Sequence, residues 1–173
     1  IELTFWCATL KGVGFVLATG TLLYVLLKRD TDRLREAHDA RLLSSLEIAH
    51  RLAYAIELRD VTCSEHNERI AGYCRCVGQE LGLEINRLDM LVRVAPLHDV
   101  GKIAIPDYIL QKPGPLSEEE TQIVRKHARL GAELLRSDGN PFMTLASTVA
   151  GSHHEAWDGT GYPSGLKGEE IPL

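Results

Sequence analysis

The chain has 173 residues, 45% hydrophobic and 25% charged, which suits one folded domain with a short extra segment and excludes a disordered chain. Its formal charge of −5 gives no overall reason to bind DNA or RNA as a polymer, although local cations leave room for a small phosphorylated ligand. From the N-terminus, Gly12 to Leu27 is apolar and uncharged, and Leu3-Thr4-Phe5-Trp6 extends it backwards with one interruption, Lys11, which can snorkel to an interface. Trp6 and Tyr24 stand near the two ends, where interfacial aromatics belong. Lys28-Arg29, Arg33 and Arg35 follow, against Glu2 alone on the other flank. Residues 1–29 therefore read as a membrane span, and the positive-inside rule makes its C-terminal side cytoplasmic. The competing readings are a buried core helix and a signal peptide, the latter disfavoured because no small-residue cleavage site precedes the charged stretch.

Residues 30–52 are charged, lack Pro and Gly, and space Leu34, Leu42, Leu46 and Ala49 at helical intervals. They read as a juxtamembrane helix, either pairing with a second copy into a homodimer or serving as a solvated connector. His38 and His50, in this stretch, are incidental. Residues 53–173 form the main domain. A helix is expected over about 53–81 with an apolar face through Ile56, Ile70, Tyr73 and Val77, ending near Gly82. Another is expected over about 86–98, on Leu88, Leu91, Val92 and Ala95, with Pro96 tightening its last turn. Gly101 punctuates the following turn, and Pro106 and Lys112-Pro113-Gly114-Pro115 mark a loop. Ser117 and Glu120 make a capping box for a helix to about Arg136. After the turn Asp138-Gly139-Asn140-Pro141, a helix from about Phe142 leads into His153-His154, and Asp158 to Gly168 is a glycine-rich loop. No alternating strand pattern of useful length occurs, so the class is all-α. Cys7, Cys63, Cys74 and Cys76 show no C-x-x-C spacing and read as reduced structural thiols, the alternative being a metal or disulfide role.

His98-Asp99 is by itself a common dipeptide. Its weight comes from the census: of 7 histidines, His66, His98, His127, His153 and His154 all fall in the helical domain, each near a predicted helix end or on a polar face. Neutral imidazole ligates Fe, Mn and Zn, and a carboxylate can bridge two cations. Helices of a bundle can aim such ligands at one point, where two metals would polarise a phosphate. Lys102, three residues after Asp99, lies within reach of that point and could neutralise phosphoryl charge.

The run His98-Asp99-Val100-Gly101-Lys102, with Ile105-Pro106, Ile109-Leu110 and Lys112-Pro113-Gly114, resembles the HD-GYP family of cyclic di-GMP phosphodiesterases. Leu116, Glu120, His127, Gly131, His153-His154-Glu155 and Asp158-Gly159-Thr160-Gly161-Tyr162-Pro163 continue in that family's order and spacing. Gly161-Tyr162-Pro163 is what separates it from other HD phosphohydrolases, and Thr62, His66 and Arg69 resemble its T-x-x-x-H-x-x-R segment. The resemblance implies a helical HD-domain bundle with metal ligands at His66, His98, Asp99, His127, His153 and His154, Asp99 bridging. It implies two divalent ions, iron or manganese, with Lys102 at the scissile phosphate. Gly161-Tyr162-Pro163 would shape the site or dock a cyclic di-GMP-synthesising (GGDEF) domain. The product would be pGpG or GMP. Where some members place a third-metal Glu, this chain has Thr62, which favours two metals. The family's pattern continues with an Asp ligand and substrate-contacting basic residues beyond position 173, so the sequence, opening on Ile1, reads as a fragment of an inner-membrane sensor of bacteria with a cytoplasmic catalytic domain. Two further readings stand beside this: an HD phosphohydrolase for another cyclic dinucleotide, and a non-catalytic module docking partners through Tyr162 and its neighbours.

Overall fold

The computed structural model describes residues 2–59 and 66–172, with side chains from Gly12 onward. Among the described residues there are helices and loops and no strand. The helices are α1 (Glu2–Glu57), α2 (His66–Glu80), α3 (Ile85–Val94), α4 (Asp107–Leu110), α5 (Glu118–Leu135) and α6 (Pro141–Ser152), as an all-α class requires. Short 3-10 turns cover Ala95–Leu97, Val100–Ala104 and Gly168–Glu170. The chain divides into two compact units, Ile1–Leu43 and Ser44–Leu173.

In the first unit the apolar stretch of α1 is exposed throughout, with Phe15 at 70% and Tyr24 at 64%. Thr19 and Thr21 return their hydroxyls to the carbonyls of Phe15 and Leu17, so neither side chain needs water. The helix Gly12–Glu57 contains a window of mean hydropathy 1.3, none of it buried, and is thus long and apolar enough to cross a membrane. The positions of Trp6, Lys11 and Cys7 concern side chains outside the described residues, as do Thr62 and Cys63.

The second unit is a helical bundle. Leu46, Ala49, Ala53 and Ile56 on the last turns of α1 pack with Val94, Leu97, Val100, Leu135, Ala146 and Ala150 into one core. Leu46 and Ala49, expected in a linker helix, are therefore core residues of this unit. Local chemistry sets the helix starts. Glu84 accepts from the amides of Asn86 and Arg87 at the head of α3, and Asn140 from those of Phe142 and Met143 at α6. Ser117 and Glu120 make the expected reciprocal box on α5.

Two expectations are corrected. The single helix over 53–81 does not form: α1 stops at Glu57 and a separate helix starts at His66. No Pro or Gly marks the change, though residues 60–64 (Asp-Val-Thr-Cys-Ser) are weak helix formers, and the Glu57 carboxylate receives the first amides of α2. The apolar face assigned to that helix also splits. Ile56 is buried, but Tyr73 and Val77 are 63% and 57% exposed, because α2 turns only its Gly78 face fully against α3.

Candidate metal centre

The 3-10 turn Ala95–Leu97, with Pro96 inside it, places His98 at its end, and the next turn starts at Asp99 and carries Lys102. Gly101 makes this arrangement possible. A Cβ there would stand 1.9 Å from the His127 carbonyl oxygen and 2.5 Å from the Gly131 amide nitrogen, so only glycine lets the turn lie against α5. That contact brings His127, buried in the middle of α5, under Asp99. His127 thus departs from the expectation of a helix end or polar face: it lies on the packed face. His153 caps the end of α6, His154 follows, and His66 opens α2.

The Asp99 carboxylate is the hub. Its Oδ2 lies 3.2 Å from His98 Nε2 and 2.9 Å from Lys102 Nζ. Its Oδ1 lies 3.2 Å from His127 Nε2 and 3.6 Å from His153 Nε2. Burial works to raise the Asp99 pKa, but the rings of His127, His153 and His98 outweigh it and hold the carboxyl well below the usual carboxylate range. Three of the rings are oriented alike. His98, His127 and His153 each set Nδ1 against the carbonyl three residues earlier, those of Ala95, Val124 and Ala150, at 2.9, 2.6 and 3.0 Å. A carbonyl can only accept, so Nδ1 carries a proton in each of the three, and Nε2 is the nitrogen whose lone pair can ligate a cation.

Those lone pairs converge. His127 Nε2 and His153 Nε2 are 3.2 Å apart, and both face Asp99 Oδ1. Acceptors so close repel unless a proton or a cation lies among them. Two sets of potential ligand atoms satisfy mutual distances within 4.8 Å: Asp99, His127, His153 and His154, and His66, His98 and Asp99. Asp99 belongs to both. The donor set of imidazole nitrogens around a shared carboxylate fits a pair of first-row divalent ions. Desolvation, aided by His153 and His127, pushes the His154 pKa down to about 4, leaving the ring neutral as a ligand must be.

A cavity of about 440 Å³ opens over this cluster, lined by His66, His98, Asp99, Lys102, His127, His153, His154 and Tyr162. Gly161 and Pro163 do not line it. Gly161 instead lets its loop press on the end of α6: a Cβ would lie 2.3 Å from the Ala156 nitrogen and 2.5 Å from the His154 oxygen. Tyr162 donates its amide to the His154 carbonyl at 3.1 Å and stacks on the His154 ring at 4.5 Å, with the Arg125 guanidinium 5.1 Å from the Tyr162 ring centroid. Glu155 fastens the loop by accepting from the amides of Ser164 and Leu166. Glu57 and Asn67 also line the cavity, and neither was singled out in the sequence. Nothing in their local pattern marks them, because their place depends on the meeting of α1 and α2.

Comparison with known proteins fits this geometry. The family described as HD domain matches residues 51–173. A cyclic di-GMP phosphodiesterase response regulator of Xanthomonas campestris is 44% identical over 143 residues, covering 78% of this chain and 38% of the relative. A cyclic di-GMP phosphodiesterase of Thermotoga maritima is 38% identical over 148 residues, covering 86% of this chain and 39% of the relative. A 3'3'-cGAMP-specific phosphodiesterase of Vibrio cholerae is 43% identical over 130 residues, covering 75% and 25%. The chain thus spans between 25% and 39% of the length of these relatives.

Proposed function

Because the chain belongs to the HD domain family and carries the Gly161-Tyr162-Pro163 signature of the HD-GYP phosphodiesterases, we propose that it hydrolyses cyclic di-GMP at a dinuclear metal centre, to pGpG or onward to GMP. The observation that carries this reading is the convergence of imidazole lone pairs on one shared carboxylate, Asp99, beside Lys102. His66, His98 and Asp99 would hold one divalent ion, and Asp99, His127, His153 and His154 the other, with iron or manganese suited to this nitrogen-and-carboxylate set. When bound, the ions supply Lewis-acid stabilisation of phosphoryl charge and ease ionisation of an attacking water.

The chain's own residues do the rest. The Nδ1 bonds to Ala95, Val124 and Ala150 hold the rings in the ligating tautomer. The rings of His127, His153 and His98 hold the Asp99 carboxyl below the usual carboxylate range, against its burial. Lys102 Nζ, held 2.9 Å from Asp99 Oδ2, is placed to balance charge on a scissile phosphate or to protonate the leaving ribose oxygen. Tyr162 presents a ring edge at the cavity wall while its face steadies His154.

Around this centre we read residues 1–29 as a membrane span, 30–52 as a juxtamembrane helix able to pair with a second copy, and 53–173 as the phosphodiesterase domain on the cytoplasmic side of a bacterial inner membrane. The exposed apolar face of α1 and its Lys28-Arg29 flank support the span. The loop Gly161-Tyr162-Pro163 is a candidate surface for a GGDEF domain. The likeness to a 3'3'-cGAMP-specific phosphodiesterase favours that dinucleotide as the second substrate to try. Incubating the full protein and Mn²⁺ with each dinucleotide separately tests the reading. Turnover of cyclic di-GMP, abolished in Asp99→Ala while helical circular dichroism persists, is the expected outcome. Turnover of 3'3'-cGAMP alone would move the substrate assignment, and turnover of neither would sink the proposal.

A further inference from the structure

The dinuclear reading needs His66 and Lys102 to face Asp99 from two separate elements, and both elements are tied to the same few residues at the end of α1. Glu57, the last residue of α1, aims its carboxylate at the start of α2. Its Oε1 accepts from the backbone amides of His66 at 2.9 Å and Asn67 at 3.4 Å, and its Oε2 from the Asn67 side-chain amide at 2.6 Å. Both oxygens therefore have N–H partners, and the carboxylate acts on the His66 backbone, at the end of α2 where negative charge is favoured.

Two residues later, Arg59 grips the segment that follows Lys102. Nη2 donates to Asp107 Oδ1 at 2.6 Å and to the Ile105 carbonyl at 3.1 Å, Nη1 to the Ile103 carbonyl at 3.3 Å, and Nε to Asp107 Oδ1 at 3.2 Å. Gln111 donates back to the Arg59 carbonyl at 3.1 Å. The Asp107 side of this ion pair is 65% exposed, which limits what its charge contributes. What matters is direction: a planar fork fixes the carbonyls of Ile103 and Ile105, one and three residues after Lys102, at the end of the 3-10 turn that carries it.

We propose that Glu57 and Arg59 are positioning residues for the centre. Glu57 sets His66 for the ion shared with His98 and Asp99, and Arg59 sets the turn that presents Lys102. The proposal rests on the dinuclear phosphodiesterase reading and assigns its two halves to different residues, so the two limbs separate in experiment. The end of α1 and the two residues after it thus support both halves of the site.

The test titrates the full chain with Mn²⁺, followed by electron paramagnetic resonance, for wild type, Glu57→Ala and the near-isosteric Glu57→Gln. Wild type should bind two ions with the spectrum of a coupled pair. Glu57→Ala should bind one of them about 10–100-fold more weakly, the loss typical of removing a residue that orients a ligand, and leave the other unchanged. Glu57→Gln, which keeps the shape and one acceptor, should fall between them. In both, hydrogen exchange at the His66 and Asn67 amides should accelerate without metal. Arg59→Lys, which keeps the charge and loses the fork, should bind both ions as wild type does and lower kcat about tenfold with KM little changed. Two ions bound with unaltered affinity in Glu57→Ala and Glu57→Gln would overturn the Glu57 limb; so would equal weakening of both ions, which marks a general loss of fold. Unaltered kcat in Arg59→Lys would overturn the Arg59 limb. A wild-type chain that binds fewer than two ions overturns the dinuclear reading itself, and this proposal with it.

Discussion

At the scale of single residues, the backbone tells three imidazoles of the cluster, those of His98, His127 and His153, which nitrogen to protonate. The i−3 carbonyl is available to His98 and His153 because each ends a helical turn, and to His127 because its ring folds back along α5. Asp99 is held charged by the His127, His153 and His98 rings that face it, with Lys102 Nζ 2.9 Å from its Oδ2. His154 gives a pH prediction. Its folded pKa of about 4 lies below the ordinary 6.5, so between these values the unfolded chain binds a proton that the folded chain does not. Stability of the metal-free protein should therefore fall as pH drops from about 6.5 to about 4. Urea midpoints measured across that window, compared with His154→Asn, check it; an equally steep fall in the variant would assign the effect elsewhere. The histidines and Asp99 were legible in sequence through their resemblance to a family. Glu57, Asn67 and Arg125 were not, since their chemistry appears only where separate elements meet.

At the scale of elements, the site depends on close approach. The turn Val100–Ala104 packs on α5 through Gly101, and the loop after α6 packs on His154 through Gly161. In each case the obstacle to a side chain is backbone, which no rotamer change can clear. Gly101→Ala should thus destabilise the fold by at least about 3 kcal/mol, the upper range for overpacking a rigid interior. Chemical denaturation checks the value, and a loss below about 1 kcal/mol would mean that the turn can lift away from α5. The same reasoning gives the Gly-Tyr-Pro loop a local task. Glu155 binds its amides, Gly161 admits it, and Tyr162 stacks on a histidine of the centre. The sequence showed most helices and the capping box of α5, because caps and periodicity are local. The break between α1 and α2 is hard to see in it, because no Pro or Gly stands there and the only signal is a run of weak helix formers over residues 60–64.

At the scale of the whole chain, the two compact units differ in what surrounds them. The unit Ser44–Leu173 has a closed core, with Val94, Leu97, Ala128, Ala146 and Ala150 fully shielded. The unit Ile1–Leu43 presents Phe15, Val16, Leu17, Leu22 and Leu23 at 58–70% exposure, and burying such side chains is worth roughly 1.5–3 kcal/mol each. A lipid phase can supply that burial. The full chain should accordingly sediment with membranes, resist carbonate and high salt, and come away with detergent. Release by salt alone would exclude a span and leave pairing between copies as the cover for this face.

What the sequence determined by itself was chemistry that is local or carried in motifs: an all-α class, an apolar N-terminal helix, the starts of α5 and α6, and the histidines, Asp99 and Lys102 as one group. The class and the helix starts follow from periodicity and capping, and the site residues from a motif that resembles a known family; neither needs knowledge of distant neighbours. Tertiary structure alone decided that Leu46 and Ala49 belong to the core, that Tyr73 and Val77 do not, and that His127 lies under Asp99 through the gap left by Gly101. It also decided that Glu57 and Arg59, unremarkable in sequence, reach α2 and the Lys102 turn. Such contacts join residues 9 to 48 positions apart, and only the packing of the helices brings them within hydrogen-bonding distance.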